Sequence, residues 1–234
     1  MDKIKFSGIV LAAGSGKRMN SDLPKQYMEI NRKPLIYYTL KAFEDSLVDE
    51  IILVVPEGDV SYVKSDIVEK NGFKKVSHII CGGSERIWSV KKGLEASSGE
   101  YVLIHDGARA FVSSKLIDEM AGAAEIYQAA VAAVPSKDTI KVSDETEYVK
   151  STPDRNALWI VQTPQAFSKD KLMAAYDMLK DDKISMMKIT DDAGIMEKAG
   201  TPVKLIMGEY TNIKVTTPDD LVIGRAIIES NKQN

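Results

Sequence analysis

Two glycines and two cations stand together in LAAGSGKRM, residues 11–19, directly after the apolar run Phe6–Leu11. Glycine lets backbone amides approach a ligand with no Cβ in the way, and successive amides in a tight turn cradle anions. With Gly14, Ser15, Gly16, Lys17 and Arg18 in the turn, and Lys25 following in LPKQY, the chemistry on offer is the binding of a polyphosphate. Two familiar phosphate loops do not fit. The dinucleotide pattern GxGxxG needs a third glycine where Met19 stands, and the P-loop pattern GxxxxGK[ST] needs glycine at Leu11 and a hydroxyl residue at Arg18. A plain strand-to-loop turn with solvated cations accounts for the same residues, so the stretch needs company to become a site.

Two further motifs supply it. HDGAR, residues 105–109, offers Asp106, a hard oxygen ligand suited to a divalent cation such as Mg²⁺ whose shell nucleotide phosphates would complete. The same aspartate would equally cap a turn ahead of Gly107. GGSERIWSV, residues 82–90, is a glycine turn running into a helix, where Ser84, Ser89 and free amides can hydrogen-bond a base or ribose, or simply start the helix. His78 and His105 fall within apolar runs and read as strand residues, and Trp88 and Trp159 as packing residues.

These motifs need a frame that brings them to one edge. Apolar, β-branched runs at Phe6–Leu11, Glu50–Val55, Val76–Cys81, Tyr101–His105, Ala129–Val134 and Val203–Met207 predict buried strands. Helical spacing predicts helices over Pro34–Phe43, Asp59–Glu69, Ser84–Ala96, Ser114–Tyr127, Ser168–Leu179 and Asp191–Lys198. Thr217-Pro218-Asp219-Asp220 opens a last helix with a hydroxyl cap, proline at the first position and acids against the dipole. Strands alternating with helices imply an α/β fold, a largely parallel sheet covered on both faces, with ligands at the carboxyl edge of the strands. Between Ser136 and Thr152 the alternation gives way to a polar hairpin turning around Ser143-Asp144-Glu145. An isolated hairpin is marginal in water, which favours an arm that embraces a second subunit over one lying on the surface.

At 234 residues, 44% hydrophobic and 28% charged, the chain predicts one domain with a sizeable core. No apolar run is long enough to span a bilayer, and the N-terminus lacks a signal pattern, so a cytoplasmic enzyme is expected. One cysteine, Cys81, and two histidines exclude an internal disulfide and a zinc cluster of the usual ligand types. A net charge of −3 gives no general attraction to nucleic acid.

The motifs resemble, in order and over nearly the whole length, those of the 2-C-methyl-D-erythritol 4-phosphate cytidylyltransferase family: LAAGSGKRM, PKQY, GGSER, HDGAR, TPDRNALWIVQTPQAF (152–167), TDDA (190–193) and NIKVTTPDDL (212–221). The resemblance implies a Rossmann-like nucleotidyltransferase fold over residues 1–234 with a dimerisation arm at about 136–152. It also implies transfer of a cytidylyl group from CTP, with Mg²⁺. Arg18 and Lys25 match the pair that stabilises charge at the α-phosphate. Ala12, Ala13, Gly14, Gly83 and Ser89 match residues holding cytosine and ribose, and Asp106 the acid beside the triphosphate and metal. Arg155, Thr190 and Lys214 match those that position the methylerythritol phosphate, while Arg109 and Thr139 would reach substrate in the other subunit of a homodimer. Two departures stand out: Ala110 follows HDGAR where proline is common, and Thr211 precedes NIK where some members have aspartate. A ribitol 5-phosphate cytidylyltransferase, a sugar-1-phosphate nucleotidyltransferase and a non-catalytic nucleotide-binding regulator are the rival readings.

Overall fold

The computed structural model describes residues 5–14, 24–179 and 189–231. In chain order the strands are β1 (Phe6–Leu11), β2 (Glu29–Ile30), β3 (Lys33–Pro34), β4 (Glu50–Val55), β5 (Val76–Cys81), β6 (Tyr101–Asp106), β7 (Ala129–Pro135), β8 (Val142–Ser143), β9 (Val149–Ser151), β10 (Trp159–Ser168) and β11 (Lys204–Met207). The helices are α1 (Leu35–Glu44), α2 (Val60–Tyr62, continued by π-helical turns over Val63–Glu69), α3 (Arg86–Ala96), α4 (Ser114–Tyr127), α5 (Lys169–Leu179), α6 (Asp192–Lys198) and α7 (Pro218–Asn231). Every run predicted as a strand or helix appears, with ends moved by a residue or two, but β5 and β11, expected to be buried, are half-buried to exposed because they are the two outermost strands of the sheet.

Seven strands make one sheet in the order β11-β7-β10-β6-β1-β4-β5. Apart from β10 the neighbours are parallel. The inner runs β1, β4, β6 and β7 are largely apolar because helices cover both faces. On one face Val10, Leu53 and Leu103 pack with Ile36, Leu40 and Phe43 of α1 and Ile117 and Met120 of α4. On the other, Ile9, Ile52, Val102 and Ile104 meet Val90 and Leu94 of α3, Leu172 and Tyr176 of α5 and Met196 of α6. Full burial of each such side chain contributes about 1.5–3 kcal/mol, so the frame that carries the edge loops is stiff. A third cluster, Ile30, Leu35, Ala110, Phe111, Val215 and Ile228, ties α7 to the β2–β3 hairpin. Ala110, one of the two departures, is therefore a buried packing residue.

The strand that pattern reading does not find is β10. It lies antiparallel between β6 and β7, and its register breaks between Val161 and Gln165. Gln162, Thr163 and Pro164 interrupt the apolar run there, which hides the strand in the sequence. The expected hairpin is present as β8 paired with β9, exposed throughout. No helix among the described residues is long and apolar enough to cross a membrane.

Candidate active site

The carboxyl ends of β1, β5 and β6 stop at one edge of the sheet, and the loops that follow them enclose a cavity of about 420 Å³. Ala12, Ala13 and Gly14 come from the first loop, Gly83, Ser84 and Glu85 from the second, Asp106 and Ala108 from the third. Lys25 and Gln26 reach in from a short 3₁₀ turn, Arg86 and Ser89 from α3, and Lys214 from the loop before α7.

The second loop is held by its own polar groups. The Gly83 amide donates to Ser89 Oγ at 3.0 Å, and that hydroxyl donates to the Glu85 carbonyl at 3.2 Å. A Cβ at Gly83 would sit 2.5 Å from the Trp88 Cβ, so only glycine lets the turn lie against the start of the helix. The opening N–H groups of α3 lack intrahelical partners and carry the positive end of the helix dipole, a fitting environment for an anion.

Charge is concentrated on Asp106, whose side chain is 13% exposed. Lys214 Nζ donates to its Oδ2 at 2.7 Å and Arg86 Nε approaches its Oδ1 at 3.4 Å. Burial works to raise the pKa of this carboxyl; Arg86 and Lys214 together outweigh it and hold the group well below the usual carboxylate range. Arg86 also pairs through Nη2 with the buried Asp192 at 2.8 Å. Burial disfavours the charged guanidinium, but Asp192 and Asp106 overcome it and push its titration further upward. Behind Asp106, burial pushes His105 down to about 4, so the imidazole is neutral and structural. Burial also lowers Arg109, whose Nη1 donates to the Asn212 carbonyl at 2.9 Å.

The structure thus brings Ala12, Ala13, Gly14, Lys25, Gly83, Ser84, Ser89, Asp106 and Lys214 to one cavity. Ser15, Gly16, Lys17 and Arg18 lie outside the described residues. Arg109 is turned onto its own chain, with a second bond from Nη2 to the Val161 carbonyl at 3.4 Å. Arg155 donates to the Lys137 carbonyl at 3.3 Å at the foot of the hairpin, and Thr139 is exposed on the same arm. Thr190 is exposed beside Asp191, the N-cap of α6; these four do not line the cavity.

The family model described as 2-C-methyl-D-erythritol 4-phosphate cytidylyltransferase matches residues 7–230. A curated relative of that name from Lachnoclostridium phytofermentans is 48% identical, covering 97% of this chain and 98% of the relative. The chain belongs to the 2-C-methyl-D-erythritol 4-phosphate cytidylyltransferase family. Another such cytidylyltransferase, from Alkaliphilus oremlandii, is 45% identical over 98% of this chain and 97% of its own. The solved 4-diphosphocytidyl-2C-methyl-D-erythritol synthase of Anaerococcus prevotii superposes with a TM-score of 0.84 at 34% identity, covering 97% of this chain and 96% of that one. The Thermus thermophilus cytidylyltransferase gives 0.77 at 32% identity, with 97% and 100% covered.

Of the residues that line this cavity, sequence reasoning misses Arg86, Glu85 and Gln26. Arg86 follows the GGSE turn, and a cation at the start of a helix, where the dipole disfavours one, gives only a weak signal that a carboxylate stands nearby. Among the described residues no group of three or more His, Cys, Asp or Glu side chains is arranged to hold a metal ion. Asp106 and Glu85 are the carboxylates of the lining, set among Lys25, Arg86 and Lys214. That donor set fits a Mg²⁺ ion held by one protein carboxylate and otherwise by nucleotide phosphates and water.

Proposed function

We propose that this chain transfers the cytidylyl group of CTP to 2-C-methyl-D-erythritol 4-phosphate, releasing pyrophosphate and forming 4-diphosphocytidyl-2-C-methyl-D-erythritol for isoprenoid synthesis. The observation that carries the reading is the cavity in which glycine turns, the start of α3, Lys25, Lys214 and Asp106 converge, in a chain of this family. An oxygen of the acceptor phosphate attacks the α-phosphorus in line, the α–β phosphoanhydride bond breaks, and its electron pair leaves with pyrophosphate. Both reactants are anions, so cancelling their repulsion and aligning them supply most of the acceleration.

Arg18 and Lys25 stabilise the charge that develops at the α-phosphate, with Lys17 on the flanking phosphates. Lys25 Nζ is steadied by the Val215 carbonyl at 3.1 Å. Lys214 shares itself between Asp106 and the acceptor phosphate, while Arg155 and Thr190 complete the acceptor's contacts. Asp106, with the phosphates, would hold Mg²⁺, which supplies Lewis-acid neutralisation of the phosphate oxygens when bound. No protein base is required: a phosphate monoester, with a second pKa near about 6, is ionised at neutral pH, and the buried, neutral His105 is unsuited to the task.

The chain works as one cytoplasmic domain paired in a homodimer, its arm at about 136–152 carrying Thr139 toward the partner's site. The arm supports this reading by what it exposes: Tyr148 and Val149 are 74% and 61% accessible, and Ile160 beside it 50%. Such side chains on a protruding segment are what a partner surface covers. Arg155, at the foot of the arm, travels with it. The deciding experiment incubates the protein with CTP, Mg²⁺ and either methylerythritol phosphate or ribitol 5-phosphate and measures pyrophosphate. Release with the first supports the reading; release with the ribitol ester alone overturns it.

A further inference from the structure

Charges are useful to a nucleotide only if their spacing is fixed, and Asp106 and Lys214 lie on loops 108 residues apart in the chain. Their direct bond of 2.7 Å joins two side chains that substrate must also engage. Something else has to set the loops, and the break in β10 meets both. Pairing with β7 runs to Val161↔Ala133 and resumes at Gln165↔Val131, so residues 162–164 stand opposite Ala132 alone. The extra residues free Gln162 and Thr163 from the ladder and turn their polar groups to the sheet edge.

Thr163 serves the Asp106 loop. Its Oγ1 accepts the Asp106 amide at 3.0 Å and donates to His105 Nδ1 at 3.0 Å; His105 Nε2 then donates to the Arg109 carbonyl at 3.0 Å. A carbonyl only accepts, so Nε2 carries the hydrogen and Nδ1 receives one, and one hydroxyl pins both ends of HDGAR. Gln162 serves the Lys214 loop. Its Nε2 donates to the Glu209 carbonyl at 2.8 Å, and its Oε1 accepts the Glu209 amide and Asn212 Nδ2, each at 3.3 Å. Asn212 Nδ2 also donates to the Thr163 carbonyl at 2.8 Å, and the Asn212 carbonyl takes the Arg109 guanidinium. Thr163 is 5% exposed, Gln162 5%, and His105 and Asn212 not at all. Buried polar groups that leave a partner lose a bond that water cannot replace, so this net favours one arrangement of the two loops.

We infer that Gln162 and Thr163, at the register break of β10, are positioning residues that clasp the Asp106 loop to the Lys214 loop and set the spacing of the two charges, one for the nucleotide and one for the acceptor phosphate. The ligand in this inference rests on the cytidylyl-transfer reading; the clasp itself does not. Thr163→Val keeps the shape and removes the hydroxyl, and Thr163→Ser keeps the hydroxyl. Thr163→Val is expected to lower kcat about 10- to 100-fold at saturating CTP, the scale of a small misplacement, while Thr163→Ser stays within about threefold of the parent, well inside that scale. Parental kcat in Thr163→Val at a temperature where its melt shows it folded would overturn the inference, as would a Thr163→Ser protein no better than Thr163→Val. Should Thr163→Val not fold, Gln162→Met takes its place under the same expectation. Amide exchange without substrate separates this from a failure of the proposed reaction: residues 106–109 and 212–215 should lose protection together in Thr163→Val and in Gln162→Met, and loosening of one segment alone refutes the clasp whatever the protein turns over.

Discussion

Replacing Arg86 by glutamine removes the cation that joins Asp106 to Asp192. The Arg86–Asp192 pair is 2.8 Å long, with the arginine side chain 31% exposed and the aspartate 1%. Without the guanidinium, the Asp192 carboxylate keeps, among the described residues, one side-chain bond, from the Tyr176 hydroxyl at 3.3 Å. Removing one member of a buried pair costs about 3–5 kcal/mol, because the other is stranded in a low dielectric. Since the arginine is a third exposed, water softens the loss, and the low end, about 3 kcal/mol, is expected. For a chain of this size that is a fall in Tm of about 6–12 °C. Urea unfolding followed by tryptophan fluorescence measures it. Asp192→Asn removes the stranded charge, so the double variant should be little less stable than Asp192→Asn alone. An Arg86→Gln loss below about 1 kcal/mol, or a double-variant loss equal to the sum of the two singles, would refute the argument that the buried carboxylate sets the cost.

Three further outcomes are expected. Lys25→Ala should fold normally and lose about 100-fold or more in pyrophosphate release, the scale of removing one transition-state charge contact; near-normal turnover removes Lys25 from the mechanism. Glu50, 7% exposed, is held at about 2: burial works to raise it, but the Ser7 and Ser98 hydroxyls and the Ser98 amide outweigh burial. A depressed carboxyl contributes stability that is complete above its unfolded value and drains away as pH falls, so the parent should lose about 3 kcal/mol between pH 4.5 and 2 from this group. Denaturation in Glu50→Gln should show a flatter acid limb, and an unchanged one would count against that role. Tyr148→Asp with Val149→Asp should give monomers by light scattering if the arm joins two copies; an unchanged mass would place the contact elsewhere.

Much of this molecule is legible in its sequence, for physical reasons. The inner strands β1, β4, β6 and β7 stand out because helices on both faces demand largely apolar runs such as EIILVV, and the edge strands β5 and β11 by shorter apolar, β-branched stretches. Glycines and cations at strand ends mark the cavity because few other needs put them there, and nine of the expected residues line it. Less visible is whatever depends on distant partners. Strand β10 is disguised by Gln162, Thr163 and Pro164, polar or donor-poor residues that make sense only beside the Asn212 and His105 segments. Arg86 reads as an ordinary helix-start cation until Asp192, more than a hundred residues away, is seen beside it. Arg155, Thr139 and Thr190 are recognised by likeness alone, since none of them touches the cavity of its own chain.

The position of β10 also orders events in time. It occupies the slot between β6 and β7, two strands that leave the ribosome before it and run parallel to each other. While residues 159–168 are still unmade, the nascent sheet has a gap one strand wide, bordered by the apolar edges of Tyr101–Asp106 and of the alanine-rich Ala129–Pro135. Such edges pair readily with whatever strand arrives first, so until Trp159–Ser168 is threaded between them the growing chain is open to mispairing.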